Sequence, residues 1–216
     1  MAGIPLDRPA YVYDGWRGPV LAEFLLDLRC ASKEVPLFDP KEVFSLPQYV
    51  RELFQVIQKR RPQVASRLER HVNFFDRSLF AVYDKLPVAF CHGDYHPVNI
   101  IWGEGKINAV IDWEFVGHKP ELYDVANMLG CLGVEDPESL GGSLVLNFLE
   151  ALRSGGYCSL LSQQHLVELV AAIRFGWMSE WLRKKDEEMV ELEGDYLELL
   201  LDNRAALQRT WGIKGL

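Results

Sequence analysis

The spacing of apolar positions separates helical from extended stretches along the chain. Val64, Leu68, Val72, Phe75, Leu79 and Val82 recur every three or four residues, the interval that places side chains on one helix face, and predict one continuous helix begun by Pro62. Ahead of it, Ser45 and Pro47 form the start signal of a helix through about Lys59, and the apolar run Val20 to Cys30 predicts an earlier one. Tyr11-Val12-Tyr13 is a short β-favouring patch, followed by the turn-rich stretch Asp14 to Pro19. In the middle of the chain the period changes. Val88-Ala89-Phe90-Cys91 is a short apolar run, and Ile100-Ile101-Trp102 and Ile107 to Ile111 flank Gly103-Glu104-Gly105-Lys106 as the arms of a hairpin. Beyond Pro120 the pattern predicts helices from Glu121 to Leu132, from Pro137 to Arg153 with Asp136 as N-cap, from Ser162 to Lys184, and from Glu187 to Trp211. The expected fold is α+β and mainly α, a helical scaffold around a small β-hairpin, with neither an internal repeat nor an interdomain linker.

A chain of 216 residues suits one main domain, and its ordinary balance of apolar and charged residues is that of a globular protein. The formal charge of −8 argues against a broad nucleic-acid surface. No apolar run approaches the roughly 20 residues that span a bilayer, and Met1 to Ala10 lacks the pattern of a signal peptide, so a soluble, cytoplasmic protein is expected. Cys30, Cys91, Cys131 and Cys158 are scattered through apolar stretches without a CxxC pair, which fits a reducing compartment.

The chemistry-bearing segment is His92-Gly93-Asp94-Tyr95-His96-Pro97-Val98-Asn99, followed after the hairpin by Ile111-Asp112-Trp113-Glu114. An acid, an amide five residues on, and a second acid at the far end of a hairpin match the parts list of kinase phosphoryl transfer. There one carboxylate orients the acceptor hydroxyl and takes its proton, while an amide oxygen and another carboxylate hold Mg²⁺. Asp94, Asn99 and Asp112 suit those roles, and magnesium favours such hard oxygen donors. A zinc site built on His92 and His96 has no evident fourth donor. Ser143, Ser154 and Ser159 lack a nucleophile-elbow pattern, so a hydrolase triad is not supported. Phe175, Trp177 and Trp181, at helical spacing, are expected in the core rather than on a cleft wall. Glu135, Asp136, Glu138 and the acidic stretch from Asp186 to Asp195 are expected on solvated faces.

His92-Gly93-Asp94 with Asn99, together with Ile111-Asp112-Trp113, resembles the signature pair of the aminoglycoside phosphotransferase and choline kinase-like family, distant relatives of protein kinases. The resemblance runs from about Tyr11 to Trp211, with its motifs between Phe90 and Asp124. It implies the C-terminal lobe of the protein-kinase-like fold, with catalytic loop 90–99, metal-binding hairpin 100–114 and a helical remainder, so that 19–216 form the lobe and 1–18 a hinge-like opening segment. It implies Asp94 as catalytic base, Asn99 and Asp112 as Mg²⁺ ligands, His92 as a brace of the loop, Glu114 near metal or substrate, and Asp124 as a structural anchor. Tyr11, Val12 and Tyr13 resemble the segment that joins the lobes and lines the adenine pocket, which implies nucleotide contact.

The activity implied is transfer of the ATP or GTP γ-phosphate to a hydroxyl of an aminoglycoside, choline-like or sugar-like acceptor. Ten residues precede Tyr11, and the first lysine is Lys33, so the expectation is that the β-rich N-terminal lobe with its phosphate-clamping lysine is absent. On that expectation the alternative is a non-catalytic, pseudokinase-like binding module, with self-association through the face that the missing lobe would cover.

Overall fold

The computed structural model describes residues 3–36 and 44–213. A 3-10 turn, Ala10–Tyr13, leads into helix α1 (Arg17–Ala31). Ser45 accepts the Gln48 N–H at 3.4 Å and opens α2 (Leu46–Arg60), after which Pro62, preset for a first helical turn, begins α3 (Pro62–Arg77) and a short α4 (Leu79–Val82) follows. Four short strands come next: β1 (Val88–Cys91), β2 (Ile100–Gly103), β3 (Lys106–Val110) and β4 (Gly117–Pro120). The remainder is helical: α5 (Tyr123–Glu135), α6 (Ser143–Ser154), α7 (Leu160–Gln164), α8 (Leu166–Lys184), α9 (Glu187–Asp202) and α10 (Arg204–Thr210).

The strands form two antiparallel pairs rather than one sheet. β2 pairs with β3, Ile100 opposite Val110, with a register irregularity after Ile101; β1 pairs with β4, Val88 opposite Pro120 and Cys91 opposite Gly117. The core lies against α5 and α8, which pack on each other and are apolar around most of their circumference, as helices buried on several sides must be. Within it, Arg174 of α8 and Glu193 of α9 form an ion pair with Glu193 fully buried, and the Trp181 indole N–H donates to the same carboxylate at 3.2 Å. Such a pair is tolerated because each charge is matched by the other and by further hydrogen bonds.

Several boundaries differ from the sequence reading. The helix predicted through Val82 breaks at Ser78, whose hydroxyl and N–H both bond the Phe74 carbonyl, although Leu79 and Phe80 beyond it stay buried. The stretch expected as one helix from Pro137 is a 3-10 turn, Pro137–Gly141, and then α6, divided at Gly141-Gly142 where no side chain favours continuation. Ser159, not Ser162, caps the helix before α8, and Asn203 separates α9 from α10. Strand β4 was not expected at all. Tyr11-Val12-Tyr13 is a 3-10 turn instead of a β patch, because burial of the Tyr11 and Val12 side chains decides its conformation.

Candidate active site

Strand β1 ends at Cys91 and delivers His92-Gly93-Asp94 to the start of α5. Asp124, fully buried in the first turn of that helix, accepts the His92 N–H at 2.7 Å and the Gly93 N–H at 2.8 Å. Burial pushes its carboxyl up to about 6, against the pull of those two amides towards ionisation. Gly93 has φ of +88°, and a Cβ there would meet the Phe115 carbonyl oxygen at 2.1 Å, so only glycine lets the loop pass this close to the chain after Asp112.

His92 is fully buried and works through both ring nitrogens. Its Nδ1 accepts the Asp94 N–H at 3.2 Å, which leaves Nε2 to donate to the Ile111 carbonyl at 3.1 Å. Burial holds its pKa down and a single neutral tautomer satisfies both bonds. Because the Ile111 N–H also donates to the Asn99 carbonyl at 2.9 Å, the end of the hairpin is pinned to the loop from two sides. Asp112 follows immediately, exposed and in the left-handed region at φ +67°, a conformation aspartate tolerates better than most residues and one that marks functional positions. The Trp113 ring lies 4.4 Å from that of His92.

Asp94 stands at the centre. Its Oδ2 accepts from Asn99 Nδ2 at 2.9 Å and lies 3.3 Å from His96 Nε2, while its Oδ1 accepts from Asn127 Nδ2 at 3.2 Å. Burial opposes its ionisation, but the bonds from His96, Asn127 and Asn99 outweigh burial and hold the carboxyl below its ordinary value. Asn99 Nδ2 also donates to the Asp94 carbonyl at 3.0 Å, so both amide hydrogens are engaged and Oδ1 is the atom left for a ligand. Asn99 Oδ1 and the Asp112 carboxylate, adjoining positions by virtue of the Ile111–Asn99 bond, are a hard-oxygen donor pair. Among the described residues no group of three or more His, Cys, Asp or Glu side chains forms a metal cage. A pair of oxygen donors completed by substrate phosphates and water is the usual protein contribution to Mg²⁺.

Beside Asp94 opens a cavity of about 670 Å³. The lining comprises Gly93, Asp94 and Glu114 to Lys119, Phe44 with Leu46 and Tyr49 of α2, Tyr123 and Asn127 of α5, and Ile173, Gly176, Trp177 and Glu180 of α8. The structure thus joins Asp94, Asn99, His92 and the Ile111 backbone by hydrogen bonds, with Asp112 the next residue in the chain, and places Glu114 on the cavity wall. It does not bring Tyr11, Val12 and Tyr13 there. The first two side chains are in the core, the Tyr11 hydroxyl donates to Glu135 at 2.7 Å, the Tyr13 hydroxyl donates to Asp136 at 2.6 Å, and the Tyr13 carbonyl accepts from Ser143. Glu135 and Asp136 therefore fasten the opening segment and are not merely a solvated face. Glu187, Asp195 and Glu198 pair with Arg61 and Arg67. Of the aromatic set expected in the core, Phe175 is there, but Trp177 lines the cavity, its ring 5.9 Å from His96 and 6.0 Å from the stacked Trp181. Asn127 was missed, yet it sits three residues after Asp124 on α5 and shares its face, a spacing that marks it. Lys119 gave no signal, because the strand that carries it was unrecognised.

A model of the phosphotransferase enzyme family matches residues 18–157. Among solved structures, a choline/ethanolamine kinase family protein from Mesorhizobium loti superposes with TM-score 0.69 at 15% identity, covering 99% of this chain and 70% of its own. Amicoumacin kinase in complex with AMP-PNP, Ca²⁺ and Ami gives 0.66 at 14% identity over 94% of this chain and 63% of its own. An aminoglycoside 2'-phosphotransferase in complex with GDP gives 0.57 at 17% identity over 89% of this chain and 64% of its own. The chain therefore spans about two thirds of the length of these kinases. No curated protein sequence matches it.

Proposed function

The chain belongs to the phosphotransferase enzyme family, and we propose that it carries the catalytic and metal-binding lobe, residues 19–216, of a small-molecule kinase that moves the γ-phosphate of ATP or GTP to an acceptor hydroxyl. The observation that carries this reading is the bonded unit of Asp94, Asn99 and Ile111, with Asp112 next in the chain, of which Asp94 lines a cavity large enough for a small acceptor. Asp94, kept ionised by three side-chain donors, accepts a hydrogen bond from the acceptor hydroxyl and aims its oxygen at the γ-phosphorus. As the new O–P bond forms and the bond to the β-phosphate oxygen breaks, the hydroxyl proton passes to Asp94 and the nucleoside diphosphate leaves. A base held below its ordinary pKa suits a loose transition state, in which the proton moves late. Asn99 and Asp112 would hold Mg²⁺, which when bound offsets the charge of the nucleotide phosphates. His92 and Asp124 act through the backbone of the loop. The acceptor classes are aminoglycosides and choline-like alcohols, which the names of the structural relatives suggest, and sugar-like alcohols, expected from the sequence. Four cysteine thiols, all unpaired, fit a reducing cytoplasmic setting, and among the described residues no helix is long and apolar enough to cross a membrane.

The test is Mg²⁺-dependent phosphate transfer from ATP and GTP across that acceptor panel, by the chain and its Asp94→Asn variant. Loss of a general base of this kind lowers turnover by roughly 10² to 10⁴. Transfer that persists in a folded Asp94→Asn protein would remove Asp94 from the chemistry; ligand binding without transfer by the unaltered chain would identify a non-catalytic module.

A further inference from the structure

One buried cation, unlike Arg17 and Arg174, has no carboxylate partner among the described residues and no part in the phosphotransfer reading. Lys119, on β4, is 7% exposed, yet it lines the cavity beside Asp94. Its Nζ donates to the Phe115 carbonyl at 2.7 Å and lies 5.5 Å from the Tyr123 ring centre and 5.9 Å from that of Phe44, and all three of these residues line the same cavity. The Lys119 side chain is therefore part of the cavity wall, within electrostatic range of the buried Cys91 and Asp124. Among the described residues no carboxylate pairs with it. Asp124, whose charge reaches it, is committed to the His92 and Gly93 amides. An ammonium has three N–H donors, and the Phe115 carbonyl takes one of them. The neighbouring rings offer partial compensation through their π faces, but a desolvated charge with no carboxylate partner among the described residues remains unfavourable, and burial accordingly lowers its pKa.

We propose that this cavity takes an acceptor bearing an anionic group, a carboxylate or a phosphate, which pairs with Lys119 Nζ while the hydroxyl to be phosphorylated faces Asp94. The proposal rests on the kinase reading of the cavity and adds the charge of the substrate to it. Asp94, Glu114 and Glu180 are the carboxylates of the same lining, so Lys119 is where an anion meets an opposite charge, which orients a substrate that carries both groups. A cationic alcohol would leave the ammonium unpaired and meet it as a like charge, which ranks aminoglycosides and choline below a sugar-like acceptor that carries an acid group.

Calorimetric binding, without nucleotide, of glycerol, glycerate, glycerol 3-phosphate and choline to the whole chain tests this and needs no turnover. A chain that transfers no phosphate but prefers the anions loses only the kinase reading. The expected result is that glycerate or glycerol 3-phosphate binds at least about tenfold more tightly than glycerol or choline, the scale of one charge-assisted hydrogen bond. That preference should disappear in Lys119→Met and persist in Lys119→Arg, with both variants folded by circular dichroism. The two anions separate a carboxylate site from a phosphate site. The proposal is overturned if the anions show no preference or if the preference survives in Lys119→Met.

Discussion

Replacing Gly93 by alanine tests whether the catalytic loop is held by its close approach to the segment after Asp112. Two costs add. At φ of +88° an alanine adopts a left-handed conformation unfavourable by about 1–2 kcal/mol. Its Cβ would also stand 2.1 Å from the Phe115 carbonyl oxygen and 2.7 Å from the carbonyl carbon, where both contacts are backbone and a side chain cannot swing aside. Overpacking of that kind costs about 1–3 kcal/mol more, so the total is roughly 2–5 kcal/mol. Gly105 supplies the control: φ is +63° with nothing within 4 Å of the added Cβ, so Gly105→Ala should lose only the conformational part, about 1–2 kcal/mol. Urea unfolding followed by tryptophan fluorescence measures both variants on one scale. The clash also has a functional consequence, since Phe115 would move, and with it the carbonyl that holds Lys119 and the amide contact preceding Asp94. If Gly93→Ala proves no more destabilising than Gly105→Ala, the close contact does not constrain the loop and the reasoning fails.

Asp112→Gly should leave stability unchanged or raise it by up to about 1 kcal/mol, since relief of the left-handed conformation at φ +67° is partly cancelled by the more flexible unfolded chain, while Mg²⁺-dependent nucleotide binding is lost. Thermal unfolding checks this, and a clear loss of stability would mean that the carboxylate serves the fold instead of a ligand. His71 is 2% exposed on α3, and burial lowers its pKa to about 4 from 6.5. Because the folded state takes up the proton less readily, this group stabilises the fold fully above pH 6.5 and the benefit is lost as pH falls towards 4, by roughly 1–3 kcal/mol. Asp124, raised to about 6, acts in the opposite sense over an overlapping range, favouring the fold as pH falls. The informative measurement is therefore the difference in urea stability between wild type and His71→Met across pH 4–7; a difference that does not vary with pH would show that His71 takes up protons equally in both states.

Much of the site was legible in sequence because one short loop and one hairpin carry it. Asp94, Asn99 and Asp112 lie within a stretch whose turn residues and strand periods are local, and local signals survive tertiary folding. The helices with a clear apolar stripe, α2 and α3, were likewise evident. What was missed depends on contacts distant in sequence. Strand β4, Gly-His-Lys-Pro, contains no strong β-former and becomes a strand only by pairing with β1 some thirty residues earlier, so Lys119 had no context. Trp177 sits at the same helical spacing as core residues, and it lines the cavity because α8 turns the face of Ile173, Trp177 and Glu180 to it. Tyr11-Val12-Tyr13 was misread because aromatic and β-branched residues favour strands until burial against a helical core overrides that preference.

The most direct test of the account is a calorimetric titration of ATP into the chain with and without Mg²⁺, repeated for Asp112→Ala and Asn99→Ala. The account predicts binding that requires the metal and is lost in both variants. Metal-independent binding, or binding that survives either substitution in a folded protein, would contradict it.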